Sequence, residues 1–166
     1  MNPDIRNIVD DILNNQKTIA VGTDHGGFFI KHELCDFLRK LGWSVVDLGT
    51  HSTDAVNYPE FARKVGNAVR AGQVQTGIMI DGAGIGSAMV CNKINGIRAA
   101  HCSNTFEAFN ARAHNNANVL TLGARVVGIE LIKRIVTTFL ETPFEGGRHA
   151  TRVDMIMETE RAAGNR

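Results

Sequence analysis

The sequence predicts an α/β protein whose parallel sheet is covered by helices on both faces. Two patterns carry the prediction. Short apolar segments alternate with stretches of helical periodicity along nearly the whole chain, which is the arrangement of right-handed βαβ units. Polar and glycine residues then gather directly after the apolar segments, where open α/β sheets bind ligands. The length of 166 residues suits one domain and leaves little room for a second core.

Lys17 to Thr23 (KTIAVGT) reads as a buried strand. Phe29, Ile30, Leu34, Phe37, Leu38 and Leu41 recur at helical spacing, and Gly42 ends that helix. Trp43 to Leu48 is the next strand. Phe61, Ala62, Val65, Ala68 and Val69 mark a second helix. Thr76 to Ile80 is a third strand, and a short helix is expected over Ala88 to Ile94. Ile97 to His101 and Ala117 to Leu122 are two further strands, flanking a helix from Thr105 to His114. Val127 to Leu140 is helical, with Ile129, Ile132, Val136 and Leu140 on one face, and a last helix starts near Thr151. No repeat, low-complexity stretch or proline-rich linker interrupts this order.

Lys and Arg number 18 against 17 Asp and Glu, a formal net charge of +1. That balance lacks the basic excess of a general nucleic-acid binder. The longest apolar runs are a few residues and cannot span a bilayer. The start, MNPDIRN, lacks a basic-then-apolar signal pattern. Cys35, Cys91 and Cys102 form no CxxC pair and read as reduced, buried thiols in a cytoplasmic protein.

The residues after each strand are the candidates for chemistry. Asp24 and His25 offer acid–base groups or hydrogen bonds to a substrate; Asp24 as a helix cap is the plainer reading. Gly82-Ala83-Gly84-Ile85-Gly86 joins a strand to a helix and can expose N–H groups to an anion, or be a tight turn only. Its spacing fits neither the dinucleotide fingerprint nor the Walker pattern. His114-Asn115-Asn116 precedes the fifth strand. Arg148 and Arg152 are four apart and share one face of a helical turn; they suit a phosphate or form a solvated basic face. Arg125 is a third candidate phosphate contact.

Together the stretches VGTDHGGFFIKHEL, NYPEFARKV, GAGIG, NKINGIRAAHCSN, ARAHNNANVLTLGARVVG and FEGGRHATRV resemble the ribose-5-phosphate isomerase B and galactose-6-phosphate isomerase family, in the same order from Thr18 to Ile156. The resemblance implies a Rossmann-like three-layer sandwich with a five-stranded parallel sheet and a C-terminal helix. It implies reversible aldose–ketose isomerisation of a phosphorylated sugar, most simply ribose 5-phosphate, without metal or nucleotide cofactor. It implies a homodimer, or a tetramer of paired dimers, with active sites at the dimer interface. Carried over to these positions, Asp24 and His25 contact the substrate, and Tyr58 lines the sugar pocket. Gly82, Ala83, Gly84 and Gly86 frame the hole for the enediolate oxygen. His114 assists ring opening with Asn115 beside it, both reaching in from the partner subunit. Arg148 and Arg152, with Arg125, hold the phosphate.

Two departures stand out. Many members of the family carry a cysteine immediately before the glycine loop as the base; here that position is Asp81, which becomes the candidate catalytic carboxylate, a specificity residue for another tetrose, pentose or hexose phosphate, or the mark of a non-catalytic sugar-phosphate binding protein. Ala83 stands where those members have threonine. Another branch uses a glutamate just after the loop, where this chain has Ser87. The second departure is the segment 1–16, set apart from the isomerase domain at 17–166. Ile5, Ile8, Val9, Ile12 and Leu13 make a short amphipathic helix. Residues 3–14 then dock on a bacterial microcompartment shell or its cargo, or pack within the oligomer.

Overall fold

A computed structural model describes residues 17–164. The elements are β1 (Thr18–Thr23), a 3-10 turn (His25–Gly27), α1 (Phe28–Lys40), β2 (Ser44–Asp47), α2 (Tyr58–Arg70), β3 (Thr76–Asp81), α3 (Ile85–Cys91), β4 (Ala99–His101), α4 (Thr105–Ala113), β5 (Val119–Gly123), α5 (Ile129–Glu141) and α6 (Arg148–Gly164). The amphipathic segment at the start of the chain lies outside the described residues. No helix among the described residues is long and apolar enough to cross a membrane.

The five strands are parallel in the order β2-β1-β3-β5-β4. Strand alternation divides the core between two faces. Ile19, Val21, Ile78, Ile80, Leu120 and Leu122 pack with Leu34 and Leu38 of α1, Ala108 of α4, and Ile132, Ile135, Val136 and Phe139 of α5. Ala20, Met79 and Val119 meet Phe61, Ala62, Val65 and Ala68 of α2 and Cys91 of α3. Each large aliphatic side chain fully buried this way is worth about 1.5–3 kcal/mol before the entropy of ordering it.

Two helices depart from the sequence expectation. α3 begins at Ile85 rather than Ala88, because Gly84 takes a left-handed conformation (φ 80) that turns the chain straight into the helix. It stops at Cys91 because Asn92 pairs its amide with Ala99 of β4, donating to the carbonyl at 2.9 Å and accepting from the N–H at 2.8 Å. α6 begins at Arg148, three residues before Thr151, because Gly146 and Gly147 supply the positive φ of the preceding turn. β4 is shorter than expected. Arg98 N–H donates to the Asn118 side chain at 2.8 Å and so lies outside the ladder.

Lys31 of α1 is fully buried. Its ammonium reaches Asp47 Oδ2 at 2.8 Å, Asp47 Oδ1 at 2.9 Å and the Thr50 carbonyl at 2.7 Å. Asp47 also accepts from Gly49 N–H at 2.9 Å. This pins the segment after β2 against the start of α1. Because Asp47 keeps partial access to water and Lys31 has none, the two partners are unequal. Asp47→Ala is expected to cost about 3 kcal/mol by stranding a buried ammonium, and Lys31→Met about 1 kcal/mol or less. Urea midpoints of the two variants check this; equal losses would refute it.

Candidate active site

After β1 the chain crosses to β2 on one side, then returns past β1 to β3 on the other. The crevice at the carboxyl ends of β1 and β3 is therefore a switch point of the sheet. Asp24 enters it with its N–H bonded to the Ile80 carbonyl at 3.3 Å. Its Oδ1 accepts from Gly26 N–H at 2.9 Å and caps the 3-10 turn. The capping role is thus filled, and Oδ2 is left over. His25 Nδ1 accepts from Val56 N–H at 3.2 Å, which leaves Nε2 to carry the ring proton. Tyr58 opens α2 and packs on Gly86, where a Cβ would stand 2.5 Å from the ring.

Asp81 ends β3 and is buried. Its Oδ1 accepts from Ala83 N–H at 2.8 Å and from Gly84 N–H. Its Oδ2 accepts from Ser87 N–H at 3.2 Å and from the Ser87 hydroxyl. Both oxygens of the carboxylate are therefore held by the glycine loop and the first turn of α3. Oδ1 is fixed by two backbone groups. Oδ2 has one long backbone contact and one hydroxyl that can rotate. Arg125 follows β5 beside the same loop, its N–H donating to the Gly82 carbonyl at 3.0 Å.

His114 caps the C-terminus of α4, and the helix carries it back to the amino edge of the sheet. Glu145 N–H donates to the Ala113 carbonyl at 3.0 Å, which brings α6 alongside. The His114 and His149 rings stack with centroids 4.0 Å apart and planes 4° from parallel. Glu145 Oε2 lies 3.6 Å from His114 Nε2 and 3.5 Å from His149 Nε2. Burial, then the neighbouring His114 and Arg148, holds the His149 imidazole below its usual range. These three groups are close enough to suggest a metal site. In-plane lone pairs of parallel stacked rings cannot converge on one ion, however, so this arrangement is not one. Arg148 and Arg152 extend from the exposed face of the first turn and a half of α6.

The sequence-derived residues thus form two groups. Asp24, His25, Tyr58, Asp81, Gly82, Ala83, Gly84, Gly86 and Arg125 meet at the carboxyl edge. His114, Asn115, Arg148 and Arg152 meet at the amino edge. A single chain does not bring the two together. Ser87, Glu145 and His149 were not expected among the site residues. Glu145 and His149 could have been found from their i, i+4 spacing; the contact of Ser87 with Asp81 depends on how the loop folds back. Burial pushes the thiols up, to about 11 for Cys35 and about 12 for Cys91 and Cys102, so none is a thiolate near neutral pH.

Residues 19–156 match the family described as ribose/galactose isomerase. The chain is 46% identical over 144 residues to ribose-5-phosphate isomerase B of Escherichia coli, covering 87% of this chain and 97% of that one. It is 42% identical to D-erythrulose-4-phosphate isomerase of Pectobacterium atrosepticum, over 84% of this chain and 92% of that one. Among solved structures, ribose-5-phosphate isomerase B of Clostridium thermocellum superposes with a TM-score of 0.87 at 49% identity, covering 88% of this chain and 99% of that one. With the fold, the loop and the order of the motifs all in agreement, the chain belongs to the ribose/galactose isomerase family.

Proposed function

We propose that this protein interconverts ribose 5-phosphate and ribulose 5-phosphate through an enediolate, with Asp81 as the proton-transfer base. The observation that carries the reading is the buried carboxylate at the end of β3, clamped by the glycine loop where relatives of this type bring a thiolate. In the aldose-to-ketose direction Asp81 Oδ2 takes the proton from C2 and returns it to C1, while a hydroxyl proton passes from O2 to O1. Rotation of the Ser87 hydroxyl opens the lone pair that receives the proton. The loop balances one negative charge throughout. That charge sits on Asp81 before proton removal and on the enediolate after it, so the same N–H donors serve both. Asp24 and His25 bind the substrate hydroxyls, and Tyr58 closes the sugar pocket.

His114 and Asn115 act on the ring-closed sugar, and Arg148 and Arg152 hold the phosphate together with Arg125. Since these groups lie on opposite edges of the sheet, the active site is formed by two copies of the chain. The carboxyl edge of one copy then faces the amino edge of the other. Tetrose phosphates are the second reading, supported by the relative named for D-erythrulose 4-phosphate. Residues 3–14, with their apolar spacing, are proposed to dock on a microcompartment shell or cargo.

Three experiments test these readings. With purified protein and a panel of four- to six-carbon sugar phosphates followed by NMR, turnover is expected to be fastest on ribose 5-phosphate. There Asp81→Asn should lower kcat at least ~100-fold, in the range general base catalysis contributes, and Asp81→Cys should retain turnover. Full activity in Asp81→Asn removes the residue as base. Asp81→Asn and His114→Ala, each inactive alone, should recover about a quarter of wild-type activity when unfolded and refolded together. Half of the dimers are then mixed, and each has one intact site; no recovery means that the site lies within one chain. Deleting residues 1–16 should abolish co-assembly with shell protein and leave turnover intact, and retained co-assembly refutes the docking role.

A further inference from the structure

His114 Nδ1 lies 2.9 Å from Asn110 Nδ2, one turn earlier on α4. A neutral imidazole nitrogen can donate or accept, whereas an amide NH2 only donates. The identity of the atom facing His114 is therefore decisive, and the neighbouring contacts fix it. The side-chain amide of Asn115 stands 3.3 Å from the main-chain carbonyl of Asn110 and 3.0 Å from Asn110 Oδ1. A main-chain carbonyl only accepts, so the Asn115 atom turned toward it is the NH2. The Asn110 atom beside that NH2 is then its oxygen. The other end of the Asn110 amide, its NH2, is left for His114. One backbone carbonyl thus orients two amides and one ring, which ordinarily have to be assigned by choice.

We infer that Asn110, anchored by Asn115, is a positioning residue that holds His114 in the tautomer with its proton on Nε2. The inference rests on the proposed role of His114 in opening the sugar ring. Nδ1 is occupied as an acceptor, so Nε2 is the nitrogen that presents a proton to a substrate oxygen. Glu145 Oε2 is 3.6 Å from it, too far for a good hydrogen bond. The proton is therefore available to a ligand. Stacking on His149 keeps the ring plane fixed while Asn110 sets its chemical polarity. A neutral imidazole acting through its N–H is an established way to polarise a sugar-phosphate oxygen, as in triosephosphate isomerase. Asn110 touches no reacting atom in this arrangement; it acts through His114.

The test reads the tautomer directly. Two-bond proton–nitrogen correlation NMR of the nitrogen-15-labelled protein, with the His114 signals assigned by their loss in His114→Gln, should show a protonated Nε2 and a bare Nδ1. In Asn110→Asp the carboxylate can only accept, so Nδ1 should become protonated. In Asn110→Leu nothing directs the ring, and both tautomers should appear. On ribose 5-phosphate, Asn110→Asp should lower kcat roughly 10-fold or more, with KM changing less than about twofold, since the ring still fits but presents the wrong nitrogen. A protonated Nδ1 in the wild type, or an unchanged pattern in both variants, overturns the inference. If Asn110→Asp does not fold, Asn110→Leu and the wild-type spectrum decide the matter. Wild-type turnover in His114→Gln would refute the role of His114 itself while leaving the tautomer assignment to stand on the spectra.

Discussion

A buried carboxylate at the end of β3 sets the terms for the rest of the site. Asp81 is nearly excluded from water, and an ionised carboxylate there needs compensating donors. Ala83, Gly84 and Ser87 provide them, and each is available only because of the local backbone. Gly84 adopts φ 80, which brings its N–H round to Oδ1. A side chain at Gly84 would also collide with His101, its Cβ 2.5 Å from the ring. The glycine loop is thus shaped around an anion that belongs to the protein itself. In relatives with cysteine at this position the loop meets a smaller, single-atom group. Here a two-oxygen side chain of the protein fills the loop, held by its N–H groups and by Ser87.

The division of the site between two edges follows from the parallel sheet. Strands run one way and their crossover helices run back, so residues following a strand and residues following a helix sit at opposite ends. Asp81 and Arg125 follow strands; His114 follows α4, and Arg148 and Arg152 open α6 beside it. No rearrangement of loops within one chain closes that distance. In the proposed dimer a second copy would do so with no change of fold, since twofold symmetry would set each edge against the other and generate two equivalent sites. A groove of about 1080 Å³ lies along α4, the α3–β4 loop and α6, with Asn110 and Asn115 in its wall. Phe106 and Ile156 line it and are exposed in the single chain. The groove follows the edge strand β4, from Asn115 and Ala117 near its start to Phe106 and Glu107 beyond its end.

Much of this was legible in the sequence. The strands of the core were readable because β1, β3 and β5 are buried on both sides and so are apolar almost throughout. The positions of Asp24, His25, Asp81 and Arg125 were readable because they end or follow those strands, and the shared helix face of Arg148 and Arg152 followed from their spacing. Strand order was not readable, since the register of β3 between β1 and β5 depends on contacts far apart in the chain. The start of α3 was misplaced because a glycine-rich segment gives no periodic signal, although its glycines are what allow the helix to begin early. Ser87 was noticed only as a missing glutamate. That it donates to Asp81 depends on the tight loop, which brings residues six apart into contact.

The identities at positions 81 and 87 are best understood together. A glutamate at 87 beside Asp81 would put two carboxylates in one buried pocket, and like charges so close cannot both remain ionised without strong compensation. A side chain without a donor at 87 would leave Oδ2 with a single long contact, at the cost of an undersatisfied buried charge. Serine resolves both problems. It is small enough to be fully buried, it donates through its main-chain N–H and its hydroxyl, and the hydroxyl can turn away without moving the backbone. A carboxylate at 81 and a hydroxyl donor at 87 therefore fit one another. If Asp81 is the base, as proposed, Ser87 is the donor that a carboxylate at this position requires.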